Sequence, residues 1–215
     1  VFAPFPGLSA DQAAGLYVAS DQSLYVVNPS ERRVVHYDRL GRVRQIFADE
    51  SNLSRPFAVL AMEPLSEVWV GDSLSNQVVV FNSLGRSLRL LNMGGDAPLR
   101  RLSAMTIGPD GLYLCDRSAR KVVVLAPDGA QTYELRDGLS QPRAIAVDGA
   151  NRVFIAEGTD DRIKVFAAGK LIDSFGGSGA SHSRYSGITA LALDENLLYV
   201  ADSLNARVQI LLVGP

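Results

Sequence analysis

One polar residue recurs at the same place in five related segments of this sequence, directly after a short apolar stretch. The five positions are Asn28, Asp72, Asp116, Glu157 and Asp202. Carboxylate and amide oxygens are ligands of hard cations such as Ca²⁺, so a ring of these side chains would be a metal site. The same residue types also accept hydrogen bonds from backbone N–H groups in turns. Because a turn follows each of them, turn capping explains the recurrence better, and we expect no metal and no cofactor.

The sequence offers few other groups for catalysis. Its two histidines are His36, in a strand-like run, and His182, in a Gly/Ser-rich loop, and we expect them not to converge. A solvated or core-packed imidazole is commoner than a ligand in such settings. No Gly-x-Ser-x-Gly segment is present. The single cysteine, Cys115, stands where the other copies have a small residue, so a buried and inert thiol is expected.

Composition excludes several classes of protein. The chain has 215 residues, 21 Lys and Arg against 23 Asp and Glu, and a formal net charge of -2. This balance argues against a nucleic-acid partner. One cysteine excludes an internal disulfide framework. No apolar run reaches the roughly 18 residues of a membrane-spanning helix, so no transmembrane segment is predicted.

The segments that carry the recurring polar residue define an internal repeat with the pattern aliphatic, aromatic, aliphatic, small, polar. They begin at Leu24, Val68, Leu112, Val153 and Leu198, which are 44, 44, 41 and 45 residues apart. A short apolar run precedes each segment, and a run rich in β-branched residues and then a more polar stretch follow it. Four hairpin-linked strands per copy predict an antiparallel blade. Such blades bury both faces when they stack radially.

The sequence therefore predicts an all-β, five-bladed β-propeller of four-stranded antiparallel blades, forming one domain over residues 1–215. The copies cover approximately residues 13–50, 55–95, 101–137, 141–176 and 185–215. The last copy ends at its third strand. We expect residues 1–6 to supply the missing strand, so that the N-terminal strand closes the ring and no blade edge stays unpaired.

Copies four and five carry a more specific pattern. Copy four contains Pro142-Arg143-Ala144-Ile145-Ala146-Val147-Asp148, and copy five contains Val200-Ala201-Asp202-Ser203-Leu204-Asn205-Ala206-Arg207-Val208 after the glycine-rich Phe175-Gly176-Gly177-Ser178-Gly179. This pattern resembles the NHL-repeat family of β-propellers over nearly the whole chain. Copy one is degenerate, and copy three has Arg101-Leu102 in place of the proline. Similar compact domains are bacterial envelope proteins, so the resemblance implies an extracytoplasmic location, periplasmic or associated with the outer membrane.

The strand order places the connectors that enter each first strand at the same end of a blade as the turns between strands two and three. Loops on such a rigid scaffold are where binding residues concentrate. The residues that we predict to bind a partner there are Arg55, Arg101, Arg143, Arg117, Arg120 and Tyr185. The favoured interpretation is a non-enzymatic scaffold for protein–protein interaction, a subunit or accessory of a larger envelope-associated assembly, with no small-molecule ligand.

Two alternatives remain. Propellers of the gluconolactonase and amidating-lyase type are metal-dependent enzymes with a site at the channel mouth, which makes a metal-dependent hydrolase or lyase the second interpretation. Here the ends of the inner strands carry only Asp148 and Asp194, too few carboxylates for a convincing site. The third interpretation is sugar or peptide binding in the channel.

Overall fold

A computed structural model describes residues 14–92 and 97–214 of the chain. The chain divides into two compact units, Val1–Met93 (unit 1) and Gly94–Pro215 (unit 2). In the described part, regular structure is strand except for two 3-10 turns at Glu63–Leu65 and Ser203–Asn205. No helix in these ranges has the length and apolar character needed to cross a membrane.

Unit 1 contains two antiparallel sheets whose strands pair in chain order. Blade 1 consists of β1 (Gly15–Val18), β2 (Leu24–Asn28), β3 (Arg33–Tyr37) and β4 (Val43–Ala48). Blade 2 consists of β5 (Pro56–Met62), β6 (Glu67–Asp72), β7 (Gln77–Asn82) and β8 (Ser87–Leu91). Each strand pairs with the next one along the chain, as hairpin-linked strands do.

Unit 2 contains three further sheets of the same kind. Blade 3 consists of β9 (Leu102–Gly108), β10 (Gly111–Asp116), β11 (Lys121–Leu125) and β12 (Gln131–Leu135). Blade 4 consists of β13 (Pro142–Val147), β14 (Val153–Glu157), β15 (Arg162–Ala167) and β16 (Lys170–Gly176). Blade 5 consists of β17 (Ile188–Asp194), β18 (Leu197–Asp202) and β19 (Arg207–Leu212).

These sheets confirm the predicted five-bladed β-propeller. Four of the sheets have four strands, and the sheet of blade 5 has three within the described residues. The strand that we predicted from residues 1–6, and with it the predicted closure, lies outside the residues that the structure describes.

The cores of both units lie between successive blades. In unit 1, Tyr25 and Phe47 of blade 1 pack with Val59 and Val70 of blade 2. In unit 2, one cluster joins blades 3 and 4, and a second joins blades 4 and 5. The second strand of blades 3 and 4 is buried at every residue because both faces of the blade are covered. This arrangement explains the continuous apolar segments of the sequence repeat.

The recurring polar residues fasten the ends of their own blades. In blades 2 to 5, the acid that ends the second strand is buried and accepts backbone N–H bonds from the connector that enters the first strand. We call each of these contacts an entry clamp. The entry clamps join Asp72 to Ser54 and Arg55, Asp116 to Arg100 and Arg101, Glu157 to Ser140 and Gln141, and Asp202 to Ser186. In blade 1, Asn28 accepts a bond at 3.1 Å from the Glu31 N–H in its own turn. The turn-capping interpretation is confirmed for Asn28 and for Asp72 and Asp116, which also accept N–H bonds from Ser75 and Ala119 in the turns that follow them. The backbone donors to Glu157 and Asp202 lie in the connectors instead.

Candidate functional site

The predicted rim residues of unit 2 lie together. Arg101, Arg117 and Arg120 line one cavity of about 260 Å³. Arg143 is close enough to Arg117 for its charge to lower the pKa of Arg117, an effect second to that of burial. Arg55 belongs to unit 1, where it is exposed and its backbone N–H forms part of the entry clamp of blade 2.

Tyr185 does not lie at the surface, contrary to our expectation. Its side chain is fully buried and packs with Phe154, Ile163 and Ile188 in the core between blades 4 and 5. The aromatic ring fills the space beside Gly176, where an added Cβ would lie 2.7 Å from the ring. Tyr185 is therefore a core residue and is removed from the set of partner-binding residues.

The described residues do not fit a metal site. No group of three or more His, Cys, Asp or Glu side chains in these ranges converges to hold an ion. The entry-clamp acids direct their oxygens to backbone N–H groups, and Asp148 pairs with Arg152 at 2.6 Å. We therefore assign no metal ligand.

His36 is a candidate functional side chain, although the sequence favoured a solvated or core-packed imidazole at this position. It lies in β3 opposite Tyr25 of β2, and the two rings stack with centroids 4.0 Å apart and planes 7° apart. Its Nε2 is 2.8 Å from the hydroxyl oxygen of Ser23, a buried residue in the turn between β1 and β2. No hydrogen bond to Nδ1 is formed within the described ranges. The imidazole is thus oriented through one nitrogen and leaves the other available.

The charges around His36 favour its neutral form. Burial, and then the positive charge of Arg44, lower the pKa of His36 against the opposing effect of Asp21 and Asp38. Arg44 donates from Nη1 to Asp21 at 2.7 Å. The Ser23 hydroxyl and the Arg44 guanidinium hold the pKa of Asp21 well below its usual range. A neutral imidazole beside a guanidinium group can accept a proton while the guanidinium stabilises an oxyanion.

A groove adjoins this group of residues. Its volume is about 380 Å³, and it shares Asp21 and Arg44 with the surroundings of His36. The groove is lined by Asp21, Asp38, Arg39, Leu40, Arg42 and Arg44. Both of its carboxylates are paired, Asp38 with Arg42 and Asp21 with Arg44, each at 2.7 Å. We call His36, Ser23, Tyr25 and Arg44, together with this groove, the His36 site.

His36 lies in unit 1 and the exposed His182 in unit 2, and that the two do not act together stays a prediction. The sequence nevertheless contained a signal for the His36 site. In a hairpin whose turn joins Asn28 to Arg33, the antiparallel register pairs Tyr25 with His36. The contacts from the turn between β1 and β2 depend on tertiary structure and had no counterpart in the repeat.

No family model matches the chain, and no curated protein matches it. Solved structures do match. A streptogramin B lyase has a TM-score of 0.75 at 12% identity, over 97% of this chain and 71% of that one. Selenomethionine-substituted virginiamycin B lyase from Staphylococcus aureus has a TM-score of 0.72 at 12% identity, over 95% and 71%. A catalytically inactive histidine-to-alanine variant of virginiamycin B lyase from Staphylococcus aureus, solved with quinupristin, has a TM-score of 0.72 at 12% identity, over 97% and 73%.

These neighbours correct the functional prediction. We predicted a non-enzymatic interaction scaffold, whereas the solved structures that match nearly the whole chain are lyases. That prediction is wrong because it took the lack of a familiar nucleophile or metal motif as a sign of no catalysis, while propellers of this form include enzymes. At 12% identity the likeness establishes the β-propeller fold and does not by itself transfer an activity.

Proposed function

We propose that this protein is an enzyme of the lyase class that eliminates a leaving group from a carbonyl-containing substrate, with His36 as the base. The observation that carries the proposal is the half-buried imidazole, held by Ser23 at 2.8 Å and stacked on Tyr25, with Nδ1 unengaged within the described residues. Support also comes from the fold, because the matched structures are lyases and one of them is inactive after a histidine was replaced.

The chemistry follows from the neighbours of the imidazole. His36 accepts the proton from a carbon next to the carbonyl group, and the electron pair of that C–H bond forms a carbon–carbon double bond. The leaving oxygen departs with its bonding pair and is protonated by the imidazolium or by water. Arg44 uses Nη1 for Asp21, so its other N–H groups can stabilise the charge that develops on the carbonyl oxygen. The lowered pKa of His36 keeps the base unprotonated at neutral pH.

The groove sets the class of substrate. Two of its three arginines are paired with Asp21 and Asp38, while Arg39 has no ion pair within the described residues. This excess of positive charge favours substrates with ester or carboxylate oxygens. The compounds named with the matched structures, virginiamycin B and quinupristin, are therefore the first substrates to test.

The experiment is a turnover assay followed by mass spectrometry of the products. Elimination gives products whose summed mass equals that of the substrate, whereas hydrolysis adds one water. We expect mass-neutral turnover by the unaltered chain. We also expect a loss of at least about 100-fold in His36→Gln, in line with the usual contribution of a positioned base.

The matched control is His182→Gln, which removes the other, exposed histidine and should retain activity. Circular dichroism melting of both variants separates loss of the base from loss of the fold. Equal turnover by His36→Gln and the unaltered chain would overturn the role of His36. Products heavier by one water, or no turnover of either compound, would overturn the proposed elimination of this substrate class.

We further propose that the blades are of NHL type. The support is the pattern quoted from copies four and five, together with the position of Asp202 at the end of its strand as an entry clamp.

A further inference from the structure

The arginine pocket of unit 2 is a second group of residues with unexplained chemistry. Its cavity, of about 260 Å³, is lined by Arg101, Arg117, Ser118, Arg120, Ser140 and Gln141. Arg101 precedes β9, and Ser140 and Gln141 precede β13. The other three lie in the turn between β10 and β11. Two neighbouring blades of one compact unit therefore build this pocket.

The guanidinium groups of the pocket are not paired with carboxylates of the described residues. Within the described ranges, none of Arg101, Arg117, Arg120 and Arg143 forms an ion pair. The nearby acids, Asp116 and Glu157, are buried and accept backbone N–H bonds in the entry clamps of blades 3 and 4. The pKa of Arg117 is lowered by burial and then by the positive charges of Arg143 and Arg101, and a bound anion would relieve this repulsion.

One hydrogen bond orients a guanidinium group of the pocket, and one glycine leaves room for a neighbouring arginine. Arg117 donates from Nη2 to the side-chain oxygen of Gln141, which lines the same cavity. Arg143 lies against Gly158 so closely that an added Cβ would be 2.1 Å from Nε, and this space exists only because residue 158 is glycine. Nε of Arg143 is buried and has no hydrogen-bond partner. Arg143 does not line the cavity, and what it adds there is a positive charge close enough to act on Arg117.

The donor set identifies the class of anion. A carboxylate accepts from one arginine fork in a single plane, whereas a phosphate group accepts from several directions and carries up to two charges. Several arginines together with the hydroxyls of Ser118 and Ser140 match the second case. We propose that this pocket binds a phosphate group, present either as free phosphate or as a phosphate monoester.

The experiment is isothermal titration calorimetry at constant ionic strength, with inorganic phosphate and glycerol 2-phosphate as separate ligands and chloride as the background salt. We expect saturable binding of at least one ligand. Tighter binding of the monoester identifies the site as one for a phosphorylated molecule, and tighter binding of phosphate identifies an inorganic-anion site. We expect Arg117→Gln to weaken binding at least about tenfold, a loss typical of one charge-assisted hydrogen bond.

The matched control is Arg55→Gln. Arg55 occupies the position of blade 2 that corresponds to Arg101, with its backbone N–H in an entry clamp, but it does not line the pocket. Binding should be unchanged in this variant. If Arg117→Gln has a lower melting temperature than the unaltered chain, Arg120→Gln, at an exposed position, serves as the second test. Failure of both ligands to bind saturably, or equal binding by Arg120→Gln, Arg117→Gln and the unaltered chain, would overturn the proposal. These outcomes do not depend on elimination at His36, because only binding is measured.

Discussion

The imidazole of His36 lies flat against the phenol ring of Tyr25, with a centroid separation of 4.0 Å. The two residues face each other across β2 and β3, so the hairpin register itself produces the stack. Tyr25 is buried in the core between blades 1 and 2, and this anchors the aromatic surface on which His36 rests. The orientation of the proposed base is thus tied to the packing of unit 1.

We expect the pKa of His36, measured by NMR titration, to lie below its ordinary value of about 6.5. Burial is the larger cause and the charge of Arg44 the next, so Arg44→Gln should raise this pKa. The unfolded chain then binds more protons than the folded chain between the two pKa values. The contribution of neutral His36 to the unfolding free energy is therefore fully present above about pH 6.5. It is lost as the pH falls towards the pKa of His36 in the folded protein. An unchanged His36 titration in Arg44→Gln would contradict the assigned cause.

Asp202→Asn should destabilise unit 2 by about 2 to 4 kcal/mol, because it removes a buried charge and leaves Arg207 without its partner. Although burial raises the pKa of Asp202, its hydrogen bonds with Ser186, Asn205, Arg207 and Gln209 lower the pKa below the ordinary value.

The difference in urea unfolding free energy between the unaltered chain and Asp202→Asn should therefore be largest above about pH 4 and shrink as the carboxylate is protonated at lower pH. A difference that stays constant down to acid pH would show that the charge of Asp202 does not contribute.

Cys115 should not react with a thiol reagent such as DTNB while the protein is folded. Its side chain is fully buried, and burial raises the pKa of the thiol above its usual range, with the charges of Glu157 and Asp116 adding to this effect. The measurement is the rate of DTNB reaction with and without urea. Fast reaction under native conditions would contradict the burial of the Cys115 side chain.

Gly111→Ala should be strongly destabilising, by about 2 to 4 kcal/mol. Gly111 has a φ of +124°, and an added Cβ would lie 2.2 Å from the carbonyl oxygen of Leu125. Gly149→Ala is the control, because no heavy atom lies within 4 Å of its added Cβ. We expect its unfolding free energy to stay within about 0.5 kcal/mol of the unaltered chain. Similar thermal melting of the two variants would refute the steric argument.

The blades were predictable from sequence because each second strand repeats the same alternation of side chains at nearly constant spacing. Turn capping by residues such as Asp72 and Asp116 was predictable too, since Asp before a turn has a local role. Tyr185 was misplaced because its loop sequence, rich in Gly and Ser, gives no sign that the aromatic ring turns into the core of blades 4 and 5.

Catalytic potential was harder to recognise. The His36 site combines side chains from two turns and three strands, and its chemistry depends on burial and on one hydrogen bond to Ser23. For the arginines of unit 2, the strand order predicted the end of the blade at which they lie. It did not predict that the nearby acids Asp116 and Glu157 would accept hydrogen bonds from backbone N–H groups.

Because of the entry clamps, each blade from blade 2 to blade 5 holds the start of its first strand through contacts within its own repeat. Because the acid and the connector it holds belong to one repeat, the exposed side chains beside them are free to vary without loosening neighbouring repeats. A pocket such as that around Arg117 can therefore acquire new specificity through changes confined to one or two repeats. Natural or engineered substitutions can thus change this surface one repeat at a time.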